Sequence, residues 1–330
     1  MKKVVLLLQI VVLSLFIQAC TDHTEPYPEP QTFTSEAFAS GLKYPIGLAV
    51  DGQGNVWVTE AGSGGNKLDG TVSMITPTGT KTTFVTGLQS LVREGSIEGV
   101  GHLNYNNGKL YFLHGSNGML YTADVSSFKS GDPAVNLVDI PSQDIGTYVK
   151  SLALTNPLNS NTYDFTFGPD GHIYIVDSGS NAIIKRDKTT GELSLFAKIP
   201  NVAAGVEAVP TGIVYDGSKF LVSTLTGFPF TPGNARIFEV DQTGNVSVYK
   251  PETKFTTLTG ITLSVNNKPI VIQHGTFGQM GFEAKTGKVL DENGNTLFGN
   301  ISQPTDIIRG GDKTYYLLSY LEGTISKLSY

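Results

Sequence analysis

The strongest constraint on this chain is a repeated frame. Residues 44–60 read YPIGLAVDGQGNVWVTE, an apolar run, an Asp-Gly turn and a second run of β-branched and aromatic residues. That is the pattern of two antiparallel strands joined by a tight turn. The frame returns at 100–114 (VGHLNYNNGKLYFLH), 162–177 (TYDFTFGPDGHIYIVD) and 210–224 (PTGIVYDGSKFLVST), and more weakly at 258–274 and 304–320. A second pair of alternating runs follows each frame, most clearly at 71–85, 182–196 and 236–249, each with Thr-Gly in its turn. Six copies of four antiparallel strands predict an all-β fold, a six-bladed β-propeller. The composition fits short strands and tight turns, with 38 glycines, 10% aromatic and only 16% charged residues.

The ends of the chain predict how the ring closes. The sixth copy has only one further strand after its frame, at 323–329, so it lacks a fourth. The segment at 32–42 precedes the first copy and has no partner there, and its FASGL matches the FVTGL that ends the first repeat. The N-terminal strand is therefore expected to complete the last blade and remove the open edge. Gly47, Gly212 and Gly260 share one inner-strand position, where crowding at the ring centre leaves no room for a side chain. Trp57, Tyr111, Tyr174 and Tyr315 fall in second strands and read as packing between blades.

Four up-and-down strands per blade sort the connections onto two faces. Turns between strands one and two, and three and four, are short. The other face takes the long connections, at 61–69, 89–98, 142–161, 201–209 and 226–234. Function in repeat folds concentrates on the variable-loop face. Two rings of positions are expected at its central mouth. The first is the glycine position, occupied in the other copies by His102, Asp164 and Asp306. The second is the end of strand two: Glu60, His114, Asp177, Thr224, His274 and Tyr320. Histidines and carboxylates in a ring are the chemistry of a divalent metal site or of acid–base catalysis. No motif demands a cofactor. A divalent cation, Ca2+ or Zn2+, is the one this set would hold, at His102, Asp164 and Asp306. Solvated rim residues and blade-to-blade hydrogen bonds are the bland alternative. Arg93, Glu94 and Glu98 form a second candidate in the loop entering blade two, with Arg93 as a partner for a substrate carboxylate and a surface ion pair as its plain alternative.

The N-terminus reads as an address. Lys2 and Lys3 precede an apolar run over 4–17 that is short for a spanning helix. The run stops at Ile-Gln-Ala-Cys, and Cys20 is the only cysteine of the chain. The layout resembles a bacterial lipobox, in which that cysteine becomes the acylated first residue. The expected organisation is a signal peptide at 1–19, a lipidated Cys20 with an extended Pro-rich tether at 20–31, and the propeller at 32–330. The expected location is the cell envelope, at the periplasm or the surface, with the membrane as a partner through the lipid. Lys and Arg (23) fall short of Asp and Glu (29) and no basic run occurs, which argues against nucleic acid as a partner. A monomer is expected.

The chain has no Gly-x-Ser-x-Gly elbow, P-loop, dinucleotide fingerprint or His-Glu-x-x-His. The frame at 44–60, its Gly-rich loop and the GTVSMITP that follows resemble the ScyD/ScyE family. So do Arg93-Glu94-Gly95, Gly101-His102-Leu103 and the Asn-Pro loop leading to Tyr163-Asp164. The resemblance covers residues 40–330 and is strongest in the first three repeats. It implies the propeller fold and carries no catalytic residues. More broadly the repeats are similar to NHL-type and gluconolactonase-like propellers. That second resemblance would imply a central metal held by an acid and Asn/Asp ligands. The matching positions here, Ile46, Gly101, Tyr163, Thr211, Thr259 and Thr305, lack that pattern. The leading expectation is a lipid-anchored propeller binding a small molecule, glycan or protein on its loop-rich face. The competing ones are a metal-assisted hydrolase, lactonase or lyase at the channel mouth, and a protein-interaction scaffold.

Overall fold

A computed structural model describes residues 27–93 and 95–330. The signal segment, Cys20 and Glu94 lie outside the described residues. Among the described residues, six main sheets follow one another along the chain, antiparallel apart from the short parallel pairing of Val135–Asn136 with the first. Their inner strands are Pro45–Val50, Val100–Asn106, Thr162–Phe167, Pro210–Tyr215, Leu258–Leu263 and Pro304–Gly311. Each inner strand touches the next around the ring, and the first touches the sixth. The fold is a six-bladed β-propeller.

The core is divided among six seams, one between each pair of neighbouring blades. Strand alternation explains this, because successive side chains leave opposite faces of a blade. In blade three, Ile173 and Ile175 pack toward blade two while Tyr174 and Val176 pack toward blade four. In blade one, Val56 and Val58 face blade six and Trp57 faces blade two. Trp57, Tyr174 and Tyr315 are buried in seams, and Tyr111 packs at the edge of one. Each such ring contributes roughly 1.5–3 kcal/mol on burial. The turns hold the rings in place: Asp51 accepts the Trp57 indole N–H at 3.0 Å while binding two backbone N–H groups of its own turn. Asp170 takes the Tyr174 hydroxyl in the same way.

Closure is as the repeats predict. Thr34–Ala39 pairs antiparallel with Thr324–Ser329, and blade six runs from the inner strand outward to the N-terminal strand. The Leu42 N–H donates to Gly323 at 3.0 Å. Phe33 enters the seam between blades five and six, and Leu42 enters the one between six and one. The two ends of the chain thus share one sheet.

Some long connections differ from the sequence reading. Residues 142–144 are not loop; Ser142–Asp144 is the outer strand of blade two, followed by a short helix, Gly146–Ser151. Strand four of blade one runs on through Arg93 and folds back against Ser96–Glu98. Among the described residues no helix is long and apolar enough to cross a membrane.

Candidate ligand cavity at the channel mouth

All six inner strands carry a register shift just after their first residue. A bulge of this kind frees one residue from ladder pairing and re-aims its side chain. The second residues, Ile46, Gly101, Tyr163, Thr211, Thr259 and Thr305, are thereby turned toward the axis or a neighbouring blade. Thr211, Thr259 and Thr305 each donate their hydroxyl to the first inner-strand carbonyl of the next blade, at 2.7–3.1 Å. In four blades the residue before the inner strand is non-glycine with positive φ: Tyr44, Val209, Thr257 and Gln303. Backbone in that region is strained for a branched side chain, and here it rings the mouth.

The third residues form the level below. His102, Asp164 and Asp306 converge there. His102 is buried, with Nδ1 2.9 Å from the Tyr163 carbonyl and Nε2 3.2 Å from the Thr305 carbonyl. Carbonyls only accept, so both ring nitrogens carry hydrogen and the ring is an imidazolium. Burial opposes that charge, but the Asp164 and Asp306 carboxylates and the two carbonyls outweigh it and raise the His102 pKa. Gly47 makes the arrangement possible, since a Cβ there would stand 2.6 Å from the His102 Cα. Asp164 accepts from the backbone N–H groups of Phe165 (2.7 Å) and Ile213 (3.1 Å), the latter in the next blade. Asp306 does the same with Ile307 (2.7 Å) and Leu48 (2.6 Å). Burial raises both carboxyls, that of Asp306 to about 6 against the pull of His102. The trio is an ionic staple across five blades, one to four and six.

The trio does not fit a resident metal. Both ring nitrogens face carbonyls, and every carboxylate oxygen already accepts a backbone N–H. Among the described residues no group of three or more His, Cys, Asp or Glu side chains is arranged to hold a metal ion.

Most of the second-strand ring turns away from the axis. Glu60 is buried and accepts from the Lys43 N–H (2.9 Å), the Thr71 hydroxyl (3.1 Å) and the Lys81 ammonium. Asp177 takes the Ser160 hydroxyl at 2.6 Å and the Ser180 N–H at 2.8 Å. His114 donates Nε2–H to Gln89 at 2.9 Å and accepts from Ser116 at 3.1 Å, and burial lowers its pKa. These three fasten the bases of loops. Arg93 and Glu98 form a half-exposed ion pair at 3.6 Å, as the plain alternative expected.

His274 and Tyr320 are the members of that ring that reach the mouth. They help line a cavity of about 190 Å³ together with Ile97, Glu98, Tyr163 and Phe282. The His274 Nδ1–H donates to the Pro304 carbonyl at 3.0 Å, and no described residue hydrogen-bonds its Nε2. Burial lowers the ring's pKa to about 4, so at neutral pH Nε2 presents a lone pair. Phe282 stands edge-on to this ring at 4.6 Å. Behind it lie Phe230 and Phe277, then Phe228, which is 74% exposed. The Tyr163 ring packs against His102 at 4.8 Å, tilted by 43°. Its phenol is pushed well up by burial and by the carboxylates of Glu98, Asp164 and Asp306. Tyr320 is pushed up to about 12 by burial and is tied to the Ile97 backbone.

With this geometry the solved structures that resemble the chain can be placed. One is a protein of unknown function from Bacteroides thetaiotaomicron VPI-5482, at 13% identity and TM-score 0.60, covering 90% of this chain and 76% of that one. Virginiamycin B lyase from Staphylococcus aureus matches at 16% identity and TM-score 0.53, covering 90% and 99%. A catalytically inactive histidine-to-alanine variant of that lyase, solved with quinupristin, matches at 17% identity and TM-score 0.50, covering 91% and 99%. The chain shares their propeller fold. At these identities the likeness speaks to fold alone. No family model and no curated protein matches the sequence.

The sequence reading marks the mouth's face, His274 and Tyr320, and its separate loop candidate Glu98 also lines this cavity. It passed over Tyr163 as a cavity residue, and it passed over Phe282. Tyr163 had a readable signal, being the one aromatic among the six second residues of the inner strands. The Phe228, Phe230, Phe277 and Phe282 group had only its density in two loops.

Proposed function

We propose that the protein is a lipid-anchored propeller of the cell envelope that binds a small amphipathic molecule in the mouth cavity. One observation carries the reading. A neutral imidazole with an open Nε2 lone pair faces a cavity walled by Tyr163, Tyr320 and Phe282. Such a wall takes a flat apolar or aromatic body, and a few convergent polar groups fix its orientation. The lone pair calls for an N–H or O–H donor on the ligand. The carboxylates around Tyr163 disfavour an anion, so the ligand is neutral or cationic. Anchoring rests on the apolar run that ends at Cys20.

The test is calorimetric titration with neutral, cationic and anionic aromatic compounds of one skeleton, against the wild type and Phe282→Ala. Saturable binding of the neutral or cationic members, weakened by the substitution, is expected. Preference for the anions, or no binding at all, would refute the reading.

The same imidazole supports a second reading, a hydrolase or lyase with His274 as the proton acceptor. A ring whose pKa is about 4 is a weak base near neutrality, so ligand binding is the better fit. Turnover of a bound compound that disappears in His274→Ala and survives chelation would favour the enzyme.

A further inference from the structure

We infer that the anchored protein holds its short-turn face against the bilayer and opens its mouth away from it, into the aqueous phase. The inference rests on the acylation of Cys20 proposed above. Its structural basis is the path by which the chain enters the ring.

Residues 27–33 lie along the short-turn face between blades five and six. Asn266, in the turn between Leu258–Leu263 and Pro269–Gln273, donates its amide to the Tyr27 carbonyl at 2.7 Å and to the Glu29 carboxylate at 2.8 Å. Lys313, in the matching turn of blade six, stands over the Tyr27 ring at 5.8 Å. The Phe33 N–H then donates to Leu297 at 2.9 Å, beside the turn between the outer strands of blade five. From there the N-terminal strand starts opposite Ser329, at the short-turn end of its partner strand. Each contact belongs to the face opposite the mouth.

Chain length completes the argument. Seven residue steps separate Cys20 from Tyr27, an extended reach of at most about 25 Å. A six-residue blade strand alone rises about 20 Å, and the mouth loops stand beyond its far end. Even fully extended, the tether barely outreaches one strand, so a lipid on Cys20 draws the short-turn face toward the membrane, and not the mouth, while residues 27–33 keep their seat. The exposed Phe228 and the fully exposed Met280 beside the mouth consequently face solvent and its solutes, not the anchoring lipid.

The experiment uses the acylated full chain in phosphatidylcholine vesicles. Acylation consumes the only native thiol, so a single fluorophore can be placed through Gln53→Cys on the short-turn face or Met280→Cys at the mouth. Nitroxide-headgroup lipid supplies the quencher. Quenching several-fold stronger at 53 than at 280 is the expected result. Equal or reversed quenching, with the acyl adduct confirmed by mass spectrometry, overturns the orientation and leaves the anchor standing. A chain that carries no acyl group and does not float with the vesicles overturns both.

Discussion

His102 and His274 occupy neighbouring levels of one channel, yet they end in opposite protonation states. His102 has a carbonyl on each ring nitrogen and a carboxylate on either side, and it is held as a cation. His274 has one carbonyl, an apolar ring against it and a cavity on its other nitrogen, and it is held neutral. Both are partly or wholly withdrawn from water, so burial alone does not decide the charge. The nearby charges and hydrogen-bond acceptors do. The lower level spends its polar groups on holding blades together. The upper level leaves one unspent, and that is where a ligand has something to bind.

The contrast presupposes a closed ring, and the largest effect should come from opening it. Deleting residues 32–42 removes the outer strand of blade six and the contributions of Phe33 and Leu42 to two seams. Loss of cooperative thermal unfolding is expected by calorimetry. A truncated chain that melts like the intact one would break the closure. Next is His102→Ala, which strands two buried carboxylates. A loss of roughly 3–5 kcal/mol is expected, a fall in Tm on the order of 10 °C. An unchanged Tm would show that the trio is not a staple.

His274→Ala should do the reverse. Tm should move little, while affinity for a cavity ligand falls about tenfold, the worth of one hydrogen bond of about 1.4 kcal/mol. A large loss of stability with unchanged binding would reverse the assignments of the two levels. The smallest expected effect is in pH. Asp306 titrates near 6 when folded, above its unfolded value of about 4, so the folded chain binds the extra proton. Its contribution is therefore present at low pH and is lost as pH rises from about 4 through 6. His102, also raised, acts in the same direction as pH climbs past its folded value. Chemical denaturation of wild type and Asp306→Asn between pH 4 and 7 should show a flatter profile for the variant. Binding through His274, whose pKa of about 4 leaves it neutral above about pH 5, should not follow this slope in the upper part of that range.

The fold was largely legible because it repeats. Strand alternation, the Asp-Gly turns and the unpaired ends at 32–42 and 323–329 are enough to predict the blades and their closure. The site was half legible. Topology alone could say that strand-two ends and inner-strand starts lie near one mouth, which caught His274 and Tyr320. It could not say that Glu60, His114 and Asp177 turn outward onto loop backbones. Their direction depends on Lys43, Gln89 and Ser160, residues distant in sequence and not marked by the repeat.

The sequence by itself determined the six blades, the seams and the face that carries the long connections, because each follows from a periodic pattern read locally. The tertiary structure alone decided which polar residues are used up and which stay available. The shared bulge turns Tyr163 toward the mouth, the missing side chain of Gly47 lets His102 close against its two aspartates, and loop aromatics from blades four and five gather beside His274. These are contacts across the ring, and no local pattern encodes them.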